Sequence, residues 1–195
     1  MQKLWSKKRS LLVFLVFYIN ITALLLGFSL FSVATGKANI IINGIAADSK
    51  GYAYVGYDRK IEVYNNSEFV KKFSIPTSRG YGFTIDNDYI LLSTGDYTYS
   101  MDLDGIVLGK QLDSYENHVY SKYSFENIVG DSFRVKAILF KTRIVKNNNT
   151  IVYQISKKDL MVKLLFEISC LSVIIVVPCL IKIVKTSKHN QGTVL

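Results

Sequence analysis

Hydrophobic positions in this chain follow two different rules. From Leu11 to Val33 they are almost continuous, "LLVFLVFYINITALLLGFSLFSV", with no charged residue. A helix of about 23 residues rising about 1.5 Å each covers a hydrocarbon core of roughly 30 Å, so this run is expected to be a transmembrane helix. A second run, "LLFEISCLSVIIVVPCLI" from Leu164 to Ile181, is shorter, and its one charge, Glu167, lies in the first turn within reach of the interface. Pro178 is expected to kink its last turns. Between the two runs the period changes to two, with β-branched and aromatic residues in short stretches divided by Asn, Asp and Gly, which predicts β-strands and tight turns.

One turn is written three times: "VYNNSEFV" at Val63 to Val70, "MDLDGIVL" at Met101 to Leu108 and "VKNNNTIV" at Val145 to Val152. Around the first, strands are predicted at Ile40 to Ala46, Tyr52 to Tyr57, Lys60 to Tyr64 and Phe69 to Ile75. The sequence shifted by 37 residues lays Asn65 on Asp102 and Phe69 on Ile106, and the same segments recur between Tyr81 and Gln111. A further 45 residues bring Asp102 onto Asn147, with "SFRVKAI", "TRIVK" and "TIVYQIS" as strands of a looser third unit. The repeated turn thus joins the last two strands of each unit. The expected fold is a membrane-anchored all-β protein, with about three four-stranded antiparallel blade-like repeats between two transmembrane helices.

These repeats, through "VYNNSEFV", "DLDG", "VKNNNTIV" and their strand spacing, resemble the blades of β-propellers of the NHL and YVTN kind across most of Ile40 to Ser156. Propellers usually have about 4 to 8 blades, so three units suggest an incomplete propeller, a small twisted sandwich or a ring shared between chains.

Charge changes the picture by its position. The net charge is +9, yet the stretch Gly36 to Asp159 is close to neutral. The excess lies at Lys3, Lys7, Lys8 and Arg9 before the first helix and at Lys182, Lys185 and Lys188 after the second. Basic residues flanking membrane helices mark the cytoplasmic side; the first helix sets the direction, since Lys157, Lys158 and Lys163 balance the three lysines after the second, and the expectation is no nucleic-acid partner, both tails (1–10 and 182–195) inside, and residues 36–159 outside. Trp5 is an interfacial anchor. A cleaved signal peptide ending at Ala34 is the rival to the first span, although its apolar run exceeds the usual length of about 7 to 15 residues. Both cysteines, Cys170 and Cys179, fall in the second span, so the outer domain is stable without disulfides. A wealth of Lys, Asn, Ile and Tyr suggests a bacterium with an AT-rich genome.

Candidate chemistry is sparse. "SMDLDGIVLGKQ" from Ser100 follows a calcium loop superficially but lacks its first Asp and its final Glu, and it reads as a turn. His118 is the sole histidine of the outer domain, without a local nucleophile motif, and no zinc site is available. Tyr52 with Tyr54, and Tyr97 with Tyr99, share strand faces and read as sheet packing. "NNS" and "NNT" read as turns. Neither catalytic residues nor a metal or other cofactor is expected. Asn20, Ala23 and Gly27 on one helix and Ser169 and Ser172 on the other are the expected helix-packing positions. Lys163 and Glu167 are an interfacial pair. Ile40 and Ile42, in the first strand, are the expected open edge for interaction. The partners expected are membrane lipid and a protein or a second copy of the chain; a cell-wall sugar or peptide ligand and an enzymatic role are the alternatives.

Overall fold

The computed structural model describes residues 2–77, 80–138 and 141–191, with side chains for 13–77, 80–137, 141–179 and 181. The tail residues Trp5, Lys3 to Arg9 and Lys182 to Lys188 have side chains outside this set. The chain forms two compact units, one of residues 1–38 and 161–195, the other of residues 39–160.

The first unit holds helices α1 (Gln2–Ala34) and α2 from residue 161 (α2 spans Lys157–Gln191 and continues through Pro178). Both are long and apolar enough to cross a membrane. Phe14, Phe17, Leu24, Ile174 and Ile175 stand out from them, each more than half exposed. Neither cysteine is in a disulfide.

The second unit holds three four-stranded antiparallel sheets. Sheet 1 has β1 (Gly44–Ala47), β2 (Ala53–Gly56), β3 (Lys60–Asn65) and β4 (Glu68–Ser74). Sheet 2 has β5 (Gly82–Asp86), β6 (Tyr89–Ser93), β7 (Tyr97–Met101) and β8 (Val107–Leu112). Sheet 3 has β9 (Ser124–Glu126), β10 (Ser132–Ile138), β11 (Lys141–Lys146) and β12 (Thr150–Gln154). Within each sheet the strands lie in chain order, so each is a meander.

The repeated turn does join the last two strands of each sheet. In the first and third it is tight, with Asn66, Ser67, Asn147 and Asn148 at positive φ (49°, 72°, 49° and 64°), a region Asn tolerates better than most residues. In the second, Gly105 takes φ of 86° and the Asp102 carboxylate accepts the N–H groups of Asp104 and Ile106, an Asx turn. Every one of these hairpins also carries a register shift just before its turn, at Val63/Tyr64, Ser100/Met101 and Ile144/Val145. The sequence repeat is therefore a repeat of bulge plus turn.

Alternate side chains of sheet 1 leave it in opposite directions. Ala46, Tyr54, Ile61 and Val63 enter a core with Phe83, Ile85, Ile90, Leu92 and Met101 of sheet 2. Ile45, Ala47, Ala53, Val55 and Tyr57 enter another with Phe133, Ile144, Val152 and Tyr153 of sheet 3. Sheet 1, first in the chain, is thus the middle layer, and β1 and β2 are buried at every position. The chain reaches sheet 3 by returning past the inner strands: the Lys122 carbonyl accepts the Ile45 N–H at 2.8 Å, and the Ser121 hydroxyl donates to Tyr81 O at 2.9 Å. Asn127 ties the layers, donating to Asp48 O at 2.9 Å while accepting from the N–H groups of Val129 and Asp131. No closed propeller forms from these sheets.

Polar groups inside the second core are matched. The Tyr57 hydroxyl donates to that of Tyr153 at 2.8 Å, and Glu62 receives Tyr64 at 2.6 Å, Lys60 at 2.8 Å and Asn39 at 3.2 Å. Burial, then neighbouring groups including Glu62, push the tyrosine hydroxyls up, that of Tyr153 to about 12, so they stay protonated donors.

Because sheet 1 supplies both cores, substitution there should be the most damaging. Ile61→Ala is expected to cost about 3 kcal/mol, within the usual range for a buried Ile, whereas Ile106→Ala, at a site 62% exposed, should stay within about 0.5 kcal/mol. Chemical denaturation followed by circular dichroism in detergent measures both.

Candidate functional site

Three places in the β unit combine accessibility with chemistry: a cavity, a histidine–carboxylate pair and an uncovered strand edge. The cavity, about 630 Å³, is lined by the end of β1 (Ala47, Ser49), the β5–β6 hairpin with its Asn87–Asp88 turn, and the residues around β9. The turn is forced by Asn87 and Asp88, both at positive φ, and is held down by the Ser49 hydroxyl donating to Asp88 at 3.0 Å. Asp86, Asp88 and Glu126 line the cavity beside Phe125, Leu91 and Ile128, and no Lys or Arg does. Its volume falls within the range of about 300 to 1,000 Å³ common for small-molecule sites. Among the described residues no group of His, Cys, Asp and Glu is placed to hold a metal ion. These side chains come from three separated segments, and the sequence reading did not single them out.

His118 lies on the connection after β8. Its Nδ1 is 2.6 Å from Asp113, whose side chain is only 4% exposed. Asp113 also accepts from the Thr98 hydroxyl at 2.9 Å and the Gly95 N–H at 3.1 Å, and Thr98 meets Ser93 at 2.8 Å. His118 stacks edge-on against Tyr120 with ring centroids 4.4 Å apart, at the rim of a shallow concavity of about 470 Å³. Partial burial raises the Asp113 pKa, but the hydrogen bonds from His118 and Thr98, the His118 charge and the Gly95 amide outweigh it, and the carboxyl is held below its ordinary value. The hydroxyls of Ser93 and Thr98 belong to the carboxylate side of this array, so the Ser, His and Asp present do not line up as nucleophile, base and orienter. The arrangement works as a clamp that fixes residues 113–121 over the end of sheet 2.

The open edge does not fall at Ile40 and Ile42. Strand β1 begins only at Gly44, Ile40 is buried, Ile42 packs against the second core, and the free side of β1 is taken by Lys122. Within "IINGIAA" the apolar character of Gly44 to Ala47 reflects burial on both faces, while Ile41 is 58% exposed ahead of the strand. The outer strands are β4, β8 and β12. On β4, Lys71 and Lys72 put charge at the edge, and Lys71 pairs with Asp104. On β12, the carbonyls of Ile151 and Val152 accept the hydroxyl and N–H of Ser67. Strand β8 is the least guarded: Val107, Leu108 and Leu112 are 45%, 57% and 73% exposed, with Ile106 just before them, and only at its end does the Leu112 carbonyl accept the Asn117 amide at 3.0 Å. Its one cation, Lys110, is exposed and lies over the Tyr97 ring, 3.5 Å from the centroid. Tyr99 lies alongside.

On the helices, the Asn20 amide donates to Val16 O at 2.7 Å within its own helix, and Asn20, Ala23 and Gly27 are exposed. A Cβ at Gly27 would meet nothing within 4 Å. Ser169 is buried and bonds Leu165 O, while Ser172 accepts from the Tyr18 hydroxyl at 2.8 Å. Among the described residues an interhelical hydrogen bond therefore runs through Tyr18, which the small-residue pattern could not flag. Thr22, Ala23, Ser172 and Val176 line an apolar space of about 190 Å³ between the helices. Lys163 and Glu167 are 3.8 Å apart on the second helix.

No protein-family model matches the chain, and no curated protein matches it. Among solved structures it is similar to a Bacteroides caccae protein of unknown function, at 14% identity and a TM-score of 0.31, covering 59% of this chain and 45% of that one. It is also similar to virginiamycin B lyase from Staphylococcus aureus, at 10% identity and a TM-score of 0.34, covering 62% and 43%. The chain thus spans less than half the length of either.

Two expectations follow. A carboxyl with a lowered pKa binds fewer protons folded than unfolded. Its stabilisation is whole above the unfolded value and is lost as pH falls through the folded one. The Gly95 amide should therefore lose exchange protection as pH drops below the ordinary carboxylate value of 3.8. In Asp113→Asn that pH step should vanish, with weaker protection already at neutral pH; amide exchange by NMR or mass spectrometry reads both. Tyr18→Phe should weaken helix association by about 1 kcal/mol, the scale of a hydrogen bond in lipid, as measured by energy transfer between labelled helices.

Proposed function

We propose that this chain is a bacterial membrane protein with two spans and both termini in the cytoplasm, and that its β unit, outside, binds another protein or a second copy of itself without catalysing a reaction. The observation that carries this reading is β8. A terminal strand with exposed Val107, Leu108 and Leu112 and a single lysine, laid over the Tyr97 ring, is a template for strand pairing, and natural proteins normally blunt such edges more heavily. The other two outer strands of this unit are blunted. Most of the apolar surface of the helices faces outward, as lipid-facing helices require, and the basic cluster Lys3 to Arg9 before the first apolar run favours tails inside, while Lys157, Lys158 and Lys163 balance Lys182, Lys185 and Lys188 about the second.

A second reading, binding of a small ligand such as a cell-wall sugar or peptide, is favoured by the cavity of about 630 Å³ with its mixed aromatic and polar lining.

Leu108→Lys puts a charge on the β8 edge without touching either core. The full chain in mild detergent should then lose its self-association or its captured partner, by light scattering and pull-down, while circular dichroism is unchanged; a wild-type chain that is monomeric and captures nothing overturns the reading. For topology, external protease on protoplasts should cleave within residues 36–159 and spare tags on both termini, and cleavage of either tag would reverse the assignment.

A further inference from the structure

We propose that the outward face of sheet 3 docks on the anionic phospholipid headgroups of the membrane in which the chain is anchored; this rests on the membrane reading above. Register fixes which residues share that face. Phe133, Val135 and Ile144 point to the core shared with sheet 1, so the alternating positions Arg134, Lys136, Lys141 and Arg143 point away from it. Lys136 stands directly opposite Arg143, where like charges repel at a Cβ separation of about 5 Å. No acidic residue lies on β10 or β11. The neighbours on the same face are Ser124 and Val145 on either side of Arg134, Glu126 opposite Ser132, and Gln154 opposite Arg143. One carboxylate at the far rim thus accompanies four cations. The Arg143 Nε is buried without a hydrogen-bond partner, and a buried guanidinium donor calls for an acceptor. An uncompensated like-charge pair costs stability in the isolated sheet, and a dense anionic surface removes that cost.

Lipid fits this face better than an acidic protein does. Protein interfaces are centred on aromatic or aliphatic anchors and are depleted in lysine, whereas two of these four cations are lysines and the rings beside Arg134, Phe125 and Phe133, pack against the cores. A diffuse negative surface needs only charge. The chain also keeps sheet 3 close to a helix start. Only Ile155 and Ser156 separate β12 from α2. Within the β unit, the Ile155 N–H donates to Thr142 O, the Ser156 hydroxyl caps the helix by accepting the Asp159 N–H at 3.1 Å, and Asp159 accepts the Asn39 N–H at 3.0 Å. Ser156 and Asp159 thus hold residues 157–160, the start of α2, within the β unit.

The full chain is placed in bilayer discs of phosphatidylcholine alone or of equal parts phosphatidylcholine and phosphatidylglycerol. Lysines are acetylated with a brief pulse of water-soluble reagent and counted by mass spectrometry, with exposed Lys50 and Lys72 as internal references. Modification of Lys136 and Lys141 should slow about fivefold or more in the anionic discs, the scale of one cation's attraction to such a surface. The effect should disappear in molar salt and weaken in the variant R134Q/R143Q, while Lys50 and Lys72 stay unchanged. Equal rates in the two disc types overturn the proposal, as does protection in phosphatidylcholine discs that salt does not relieve, which would mean cover by protein. Equal protection by inorganic phosphate added to phosphatidylcholine discs assigns the face to a soluble phosphate and also overturns it. A chain that fails to co-purify with either disc refutes the anchorage itself, a result distinct from all of these.

Discussion

Everything in the β unit depends on sheet 1 being apolar on both faces. A strand buried on one side alternates apolar and polar residues; β1 and β2 read "GIAA" and "AYVG" and are buried throughout. Such a sheet is stable only with cover on each side, and the two later repeats supply it. The small residues matter as much as the large ones. At Gly56 a Cβ would fall 2.7 Å from the Phe83 ring, and at Gly82 it would fall 2.0 Å from the Val119 carbonyl. Those glycines let sheet 2 and the 119–123 connection approach the middle layer closely, and the connection in turn occupies the free side of β1.

This constraint also explains how far the sequence could be read. Period two, with Asn, Asp and Gly turns, located eleven of the twelve strands, because those signals are local. Strand β9 is three residues long in a polar stretch and has too little pattern to show. The layer order, with the first repeat in the middle, is not local: it depends on which faces meet across more than 80 residues, as Tyr57 meets Tyr153. A trace was present in "IINGIAA", but a doubly buried strand and an exposed apolar edge look alike in sequence. The edge that is open, β8, alternates with Gly109 and Lys110 and looks better guarded in sequence than it is, since Lys110 folds back onto Tyr97. On the helices, spacing marks Asn20 and Ser172, yet an amide can be satisfied by its own helix and Tyr18 makes the crossing bond.

The His118–Asp113 pair shows why a constellation must be read with its partners. A histidine beside a nearly buried carboxylate is a familiar start for acid–base chemistry. Here Asp113 is shared among His118, Thr98 and Gly95, all holding one connection against one sheet. That connection must stay in place for Lys122 to reach Ile45, so the clamp serves the same two-sided cover of sheet 1.

Near-neutrality of the β unit conceals separated charges. The outward face of β10 and β11 has four cations and no acid, whereas the cavity at the junction of β1, β5 and β9 is lined by Asp86, Asp88 and Glu126 and no cation. Both follow from the layered build. The outward face of sheet 3 has no sheet to pack on and is free to carry charge, while the cavity is ringed by hairpin ends whose turn geometry favours Asp and Asn. Summed over the unit the charges nearly cancel, but at a few ångströms each surface presents its own sign, and partners are sorted at that distance. The same layering therefore governs both stability and recognition: the inner strands of sheet 1 are spent on the interior, and the two sheets that cover them are left with unlike surfaces, an apolar edge on sheet 2 and a basic face on sheet 3.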